Sequence, residues 1–89
     1  MGIKHFCFRN TNSEVFYMLI IIKIKEARES KGMSLKELAD LTGIRRQRLA
    51  DIENGIIKED EILFVEMLVI AENLELSILD LYEVQNIEL

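Results

Sequence analysis

Four consecutive polar side chains, three of them cationic, stand at the start of a short predicted helix. They are Arg45, Arg46, Gln47 and Arg48. Guanidinium groups bind phosphate oxygens and bond bidentately to guanine, and a glutamine amide suits the N6/N7 edge of adenine. The run therefore predicts a surface for nucleic acid. The alternative is an ordinary solvated face, which is what most charge runs on helices are.

Two short helices with a tight turn between them would position these side chains, within residues 34–55. Gly43 falls between the helices, where a residue free to adopt positive φ lets the chain turn sharply. Ser34 and Glu37 form a capping-box pattern at the start of the first helix of the pair. Apolar residues recur at helical spacing through both helices and predict core packing. They are Leu35, Leu38, Ala39, Ile44, Leu49 and Ile52.

The chain has 89 residues and no proline, which indicates one mostly helical domain. Three more helices are expected, at about 21–31, 62–73 and 77–84, with Ser77 and Asp80 as a second capping pair. We expect an N-terminal extension over 1–19, a helical domain over 20–84 and a fraying tail over 85–89. In the extension, residues 6–8 alternate like a short strand and 10–13 are typical of a turn. Residues 15–22 form either a strand or the approach to the first helix, unless translation starts at Met18.

Charge is distributed unevenly. The net charge is −5, yet residues 18–58 hold nine Lys/Arg against six Asp/Glu, and residues 59–89 hold nine acids with no Lys or Arg. This gradient predicts that one face meets a polyanion while the other is held away from it. The alternative is an acidic segment that only aids solubility.

Other classes of function find little support in the sequence. The single Cys7 and single His5 provide neither a disulfide nor a set of metal ligands. We find no glycine-rich phosphate loop and no nucleophile–base arrangement, so we expect neither an enzyme nor a cofactor. The apolar run at 15–22 is far shorter than the ~20 residues that cross a bilayer. We therefore expect no membrane association and a cytoplasmic location.

Four short motifs occur in one order: R-x-x-K-G from Arg28, S-x-x-E-L-A from Ser34, G-I at Gly43 and I-E-N-G from Ile52. Together they resemble the Xre/Cro-like, phage-repressor type of helix-turn-helix family of bacteria and phages, over about residues 20–82. The resemblance implies an all-α, five-helix lambda-repressor-like domain, and the residues before it add a short irregular or strand-like N-terminal extension. It also implies a regulator of transcription, by expectation a repressor, whose third helix binds double-stranded DNA in the major groove.

The resemblance also implies roles for individual residues. Arg46, Gln47 and Asp51 fall at base-reading positions, and Arg45 lies at the edge of that set. Asp51 would accept a hydrogen bond from a cytosine amino group or hold Arg48 in place. Six DNA-contacting residues result, with Arg48 and Asn54 assigned to phosphates. They are Arg45, Arg46, Gln47, Arg48, Asp51 and Asn54.

A second implied feature is structural, since Arg28 and Glu53 match a salt bridge between the family's first and third helices. Two positions depart from the family. Leu35 stands where a polar residue often anchors a phosphate, and Arg45 stands where Ser or Thr commonly caps the third helix. These departures, with the net negative charge, favour a rival hypothesis. In it the fold is a scaffold for a protein partner bound to the acidic C-terminal half, as in an antitoxin or antirepressor.

The predicted fourth helix is more apolar than one buried face requires. Its expected inner face is formed by Phe64, Met67, Leu68, Ala71 and Leu74. Val65 and Val69 lie away from that face at i, i+4 spacing, which predicts an exposed interface and a homodimer. The alternative is that residues 1–17 fold back over these valines.

Overall fold

The computed structural model describes residues 3–9 and 15–88, and the side chains of residues 19–86. Four α-helices and three β-strands follow one another in the order β1, β2, α1, α2, α3, α4, β3. The strands are β1 Ile3–Arg9, β2 Val15–Ile22 and β3 Tyr82–Glu88. The helices are α1 Ile24–Ser30, α2 Leu35–Thr42, α3 Arg46–Glu53 and α4 Phe64–Asn73. Two 3-10 helices, Glu59–Glu61 and Ile78–Leu81, flank α4. Among the described helices, none has the length and apolar character needed to cross a membrane.

The strands form one antiparallel sheet with β2 in the centre. β-Branched and aromatic residues dominate Val15–Ile22, a composition that favours a strand. On β3, Tyr82 pairs with Ile22 and Val84 with Ile20. The segment 15–22, for which two structures were expected, is therefore a strand. The turn expected at 10–13 lies outside the described residues.

This sheet corrects the all-α, five-helix expectation. The predicted helix over 77–84 is a single 3-10 turn, Ile78–Leu81, followed directly by β3. The Ser77–Asp80 capping pair is present, with the Asp80 Oδ2 accepting from the Ser77 backbone at 3.0 Å, but it caps this short turn. Residues 85–88, expected to fray, lie in β3. The expected domain boundaries, after residues 19 and 84, fall inside β2 and β3.

The core lies where the four helices meet the end of β2 and the second 3-10 helix. Every helix contributes, because each presents apolar residues at i and i+3 spacing on one side. The fully buried side chains are Ile24, Leu38, Leu49, Ile52, Ile70, Leu74 and Leu81.

The buried face of α4 differs from the predicted one. Met67, Ala71 and Leu74 are buried as expected, and Ile70 joins them. Phe64 and Leu68, which were expected inside, are instead 70% and 44% exposed. The helix turns these two side chains to the surface because Ile70 and Met67 occupy the middle of the face that meets the core.

Candidate nucleic-acid interface

The turn between α2 and α3 is fixed by its own hydrogen bonds. Gly43 adopts φ 76°, the left-handed conformation, and its N–H donates to the Ala39 carbonyl at 2.9 Å. The Thr42 hydroxyl donates to the Leu38 carbonyl at 2.8 Å and accepts from the Ile44 N–H at 3.3 Å. Leu38, Ala39 and Leu49 are buried beneath the turn. The angle between the two helices is therefore set by both backbone and core.

The start of α2 carries the predicted capping box. The Ser34 hydroxyl accepts from the Glu37 N–H at 3.0 Å, and the Glu37 carboxylate accepts from the Ser34 N–H at 3.3 Å. These bonds satisfy backbone donors that the first turn of a helix leaves unpaired. Leu35, at the next position, is half-buried and packs against the core. Its departure from the family's polar residue is therefore explained by packing.

Three of the predicted side chains project from the first turn of α3. Arg45, at the N-cap position, Arg46 and Gln47 are all exposed. The two arginines line a cleft of about 490 Å³ between α2 and α3, and Lys36 and Asp40 of α2 line its opposite side. The Lys36 ammonium contacts the Asp40 carboxylate at 2.9 Å on the exposed surface. Three cations from two helices thus border one cleft.

Lys36 belongs to this surface although it was not among the residues predicted to contact DNA. A signal was present, since Lys36 directly follows the position where a polar phosphate anchor was expected. It is exposed, and its ion pair with Asp40 is of the i, i+4 kind, which contributes little and yields readily to a competing anion. The Lys36 ammonium can therefore exchange Asp40 for a nearby phosphate.

Gln47 and Asp51 are joined to each other. The Gln47 Nε2 donates to the Asp51 Oδ1 at 2.9 Å, one helical turn away. This bond orients the glutamine amide on the exposed side of α3. Of the two roles expected for Asp51, holding Arg48 is not seen, because the carboxylate accepts from Gln47 and the Arg48 guanidinium binds Glu66. Asn54 is exposed at the C-terminal end of α3.

Arg48, which was predicted to contact a phosphate, is bound to another helix of the protein. Its guanidinium donates to both Glu66 carboxylate oxygens of α4, at 2.8 Å from Nη2 to Oε1, and to the Glu61 carbonyl at 3.1 Å. The hydrogen bond with Glu66 raises the pKa of Arg48 above its usual range. The same bond lowers the pKa of Glu66, against the opposing effect of burial, and the Leu63 N–H lowers it further. The Arg48–Glu66 ion pair thus connects α3 to the first turn of α4.

The Arg28–Glu53 pair that the resemblance implied is present. Arg28 Nε and Nη2 donate to the two oxygens of Glu53 at 2.7 and 3.0 Å, and Nη1 donates to the Met33 carbonyl at 2.8 Å. Both residues are buried. The hydrogen bond with Glu53 raises the pKa of Arg28, with burial acting in the opposite direction. This pair anchors the C-terminal end of α3 to α1.

The two valines assigned to a dimer surface lie on α4, apart from this cleft. Val65 is 58% exposed and Val69 is half-buried. Leu68, which was expected inside, extends the same exposed apolar strip. The side chains of residues 1–17, which were the alternative cover for this strip, lie outside the described side chains.

The arrangement of α2, the Gly43 turn and α3, with cations at the open end of α3, defines a helix-turn-helix protein. A family model described as helix-turn-helix matches residues 24–81, well over half of the chain. The chain therefore belongs to this Xre/Cro-like family of DNA-binding helix-turn-helix regulators, which confirms the resemblance. No curated protein and no solved structure gave a significant match.

Proposed function

We propose that this protein is a sequence-specific regulator of transcription, a repressor, which inserts α3 into the major groove of double-stranded DNA. The observation that carries the proposal is the cleft shared by Lys36, Arg45 and Arg46, beside the exposed Gln47. Exposed cations at the junction of the two helices suit phosphates on either side of a groove, and this contact supplies most of the affinity. A protein bound in this way over a promoter would exclude polymerase.

Base reading is assigned to Arg46 and Gln47. Arg46 presents a guanidinium that suits the O6/N7 edge of guanine, and Gln47 presents an amide that suits adenine. Asp51 supports the reading by orienting Gln47 through their 2.9 Å hydrogen bond. Arg45 and Lys36 are assigned to phosphates. Arg48 is left out of the contact set because its guanidinium is bound to Glu66.

The protein would bind as a homodimer through Val65, Leu68 and Val69 of α4. A two-fold axis there would place two copies of α3 in successive major grooves, roughly 34–36 Å apart. Exposed apolar side chains on a helix that already has a buried face support this assignment.

Titration with random-sequence duplex DNA at low and moderate salt separates the proposal from its rival. A DNA-binding protein associates weakly with any duplex, and its affinity falls steeply as salt rises, because bound cations release counterions. If the fold serves only as a scaffold for a protein partner, no salt-dependent association appears. That result would refute the proposal.

A further inference from the structure

A second concave surface lies between the sheet and α4. It has a volume of about 420 Å³, and its apolar lining includes Ile20, Ile22, Ile62, Phe64, Tyr82 and Val84. None of the described residues that line it also lines the cleft between α2 and α3. We call this surface the apolar groove. Because the two sets of lining residues do not overlap, the apolar groove is separate from the DNA-binding surface proposed above.

The floor of the apolar groove is one face of the sheet. Ile20 pairs with Val84 and Ile22 with Tyr82 across β2 and β3, and side chains two residues apart on a strand share a face. This floor exists only because residues 82–88 form a strand. A helix at that position would have removed both cross-strand pairs.

The wall of the apolar groove is formed by Phe64, in the first turn of α4. The Phe64 side chain is 70% exposed, and that of Val84, on the floor of the groove, is 41% exposed. Together with the rest of the apolar floor they form a contiguous exposed apolar patch, which is the kind of surface that marks interaction sites. A small molecule is an unsuitable occupant, because small-molecule sites enclose most of the ligand surface, roughly 70–90%. An open trough instead suits a row of side chains from another polypeptide.

Charge around the apolar groove indicates the kind of polypeptide. Among the described residues that line it, Glu59 is the only charged one. The lining residues from Glu59 to Val84 belong to the segment 59–89, which carries nine acids and no Lys or Arg. Two copies of this chain docked through the groove would place two Glu59 carboxylates in one interface, which opposes association there. A basic partner would gain from the same field.

We propose that the apolar groove binds a basic, amphipathic helix of a partner protein. The apolar side chains of that helix, at i, i+3, i+4 and i+7 spacing, lie between Phe64 and Val84, and its lysines or arginines face Glu59. The inference goes beyond DNA binding and does not depend on it, because the two surfaces are separate.

The test uses the full chain and three synthetic peptides of equal length. The first has leucines at i, i+3, i+4 and i+7 with lysines on its other face. The second replaces the lysines with glutamates, and the third scrambles the leucine positions of the first. Calorimetry measures the affinities, and amide chemical shifts of isotope-labelled protein locate the site. We expect the lysine peptide to bind with a micromolar Kd and to shift the amides of Ile20, Phe64 and Val84 most. The other two peptides should bind at least about ten-fold more weakly.

Two variants and a matched control complete the experiment. Phe64→Ala should weaken binding of the lysine peptide at least about five-fold, whereas Leu79→Ala should leave it unchanged. Leu79 is 67% exposed and apolar but does not line the groove. Glu59→Lys should weaken the lysine peptide and strengthen the glutamate peptide. Circular dichroism checks that all variants remain folded.

Four results of the peptide experiments would overturn the proposal. They are equal binding of the lysine and glutamate peptides, undiminished binding of the scrambled peptide, equal effects of Phe64→Ala and Leu79→Ala, and shifts centred away from the groove. Self-association that shifts the groove amides without peptide would show that a second copy is the occupant, which also overturns it. Random-duplex binding of Phe64→Ala, measured in parallel, reports on the DNA surface alone. Failure of the groove and failure of the proposed function are therefore distinguishable.

Discussion

Arg48 of α3 and Glu66 of α4, 18 positions apart in the chain, are joined by two hydrogen bonds that connect the proposed DNA-reading helix to the helix behind it. Glu66 also accepts from the Leu63 N–H at 2.9 Å, which fixes the start of α4. The Glu66 carboxylate therefore fixes the position of α4 relative to α3. This arrangement has a pH dependence that can be measured.

Glu66→Gln should lower the stability of the fold at neutral pH. It should also reduce the further loss of stability that occurs as the pH falls. The hydrogen bond from Arg48 lowers the pKa of Glu66 below its usual 4.5. The contribution of this carboxylate is therefore fully present above 4.5 and is lost as the pH falls through the lower value of the folded protein. Thermal unfolding measured over a pH series should show a smaller acid-dependent decrease in Tm for the variant. Glu72→Gln, at an exposed site on the same helix, is the control. Identical pH profiles for wild type and Glu66→Gln would contradict the assignment.

Arg28→Met should destabilise the fold by roughly 3 kcal/mol, because it leaves the Glu53 carboxylate buried without its cation. The double variant Arg28→Met/Glu53→Leu should recover most of this loss, since no charge then remains buried. Urea unfolding monitored by circular dichroism measures both. If the double variant is as unstable as the single one, the buried charge is not the cause.

Gly43→Ala should cost roughly 1 kcal/mol, because an L side chain is strained in the left-handed conformation at φ 76°. The cost comes from the backbone alone, since a Cβ built at Gly43 meets nothing within 4 Å. Tm should fall by roughly 4–8 °C per kcal/mol in a domain of this size. Gly43→Asn should cost less, because asparagine tolerates this conformation better. An alanine variant as stable as the wild type would refute the argument.

Val65→Asp should shift the protein from dimer to monomer in sedimentation velocity, because it places a charge inside the proposed interface. Leu79→Asp makes the same change at an apolar site that is exposed to a similar degree, and it should leave the dimer intact. Wild-type protein that sediments as a monomer at all concentrations would exclude the dimer.

The helix-turn-helix was predictable because its signals are local. Ser34 and Glu37 are three residues apart, and the turn at Gly43 depends on a single backbone conformation. The ion pair of Arg28 and Glu53 spans 25 positions and was reached only through resemblance to a family.

The errors arose where distant segments decide the structure. Ser77 and Asp80 signal the start of a helix, and they do cap one turn. Beyond it, pairing of Tyr82 and Val84 with β2 overrides the helical tendency. The pairing of β3 with β2 and the ion pair of Arg48 with Glu66 leave no local signal, because these partners come into contact only in the folded chain.

The most direct test of the central claim is the affinity of Arg46 and Gln47 variants for a duplex selected from a random pool, measured by fluorescence anisotropy. Arg46→Ala and Gln47→Ala should each weaken binding to the selected duplex by roughly 1–3 kcal/mol and relax the sequence preference. Lys25→Ala removes an exposed cation from α1 and should not alter the preference. If both α3 variants bind the selected duplex as tightly as the wild type, α3 does not read the bases and the account is contradicted.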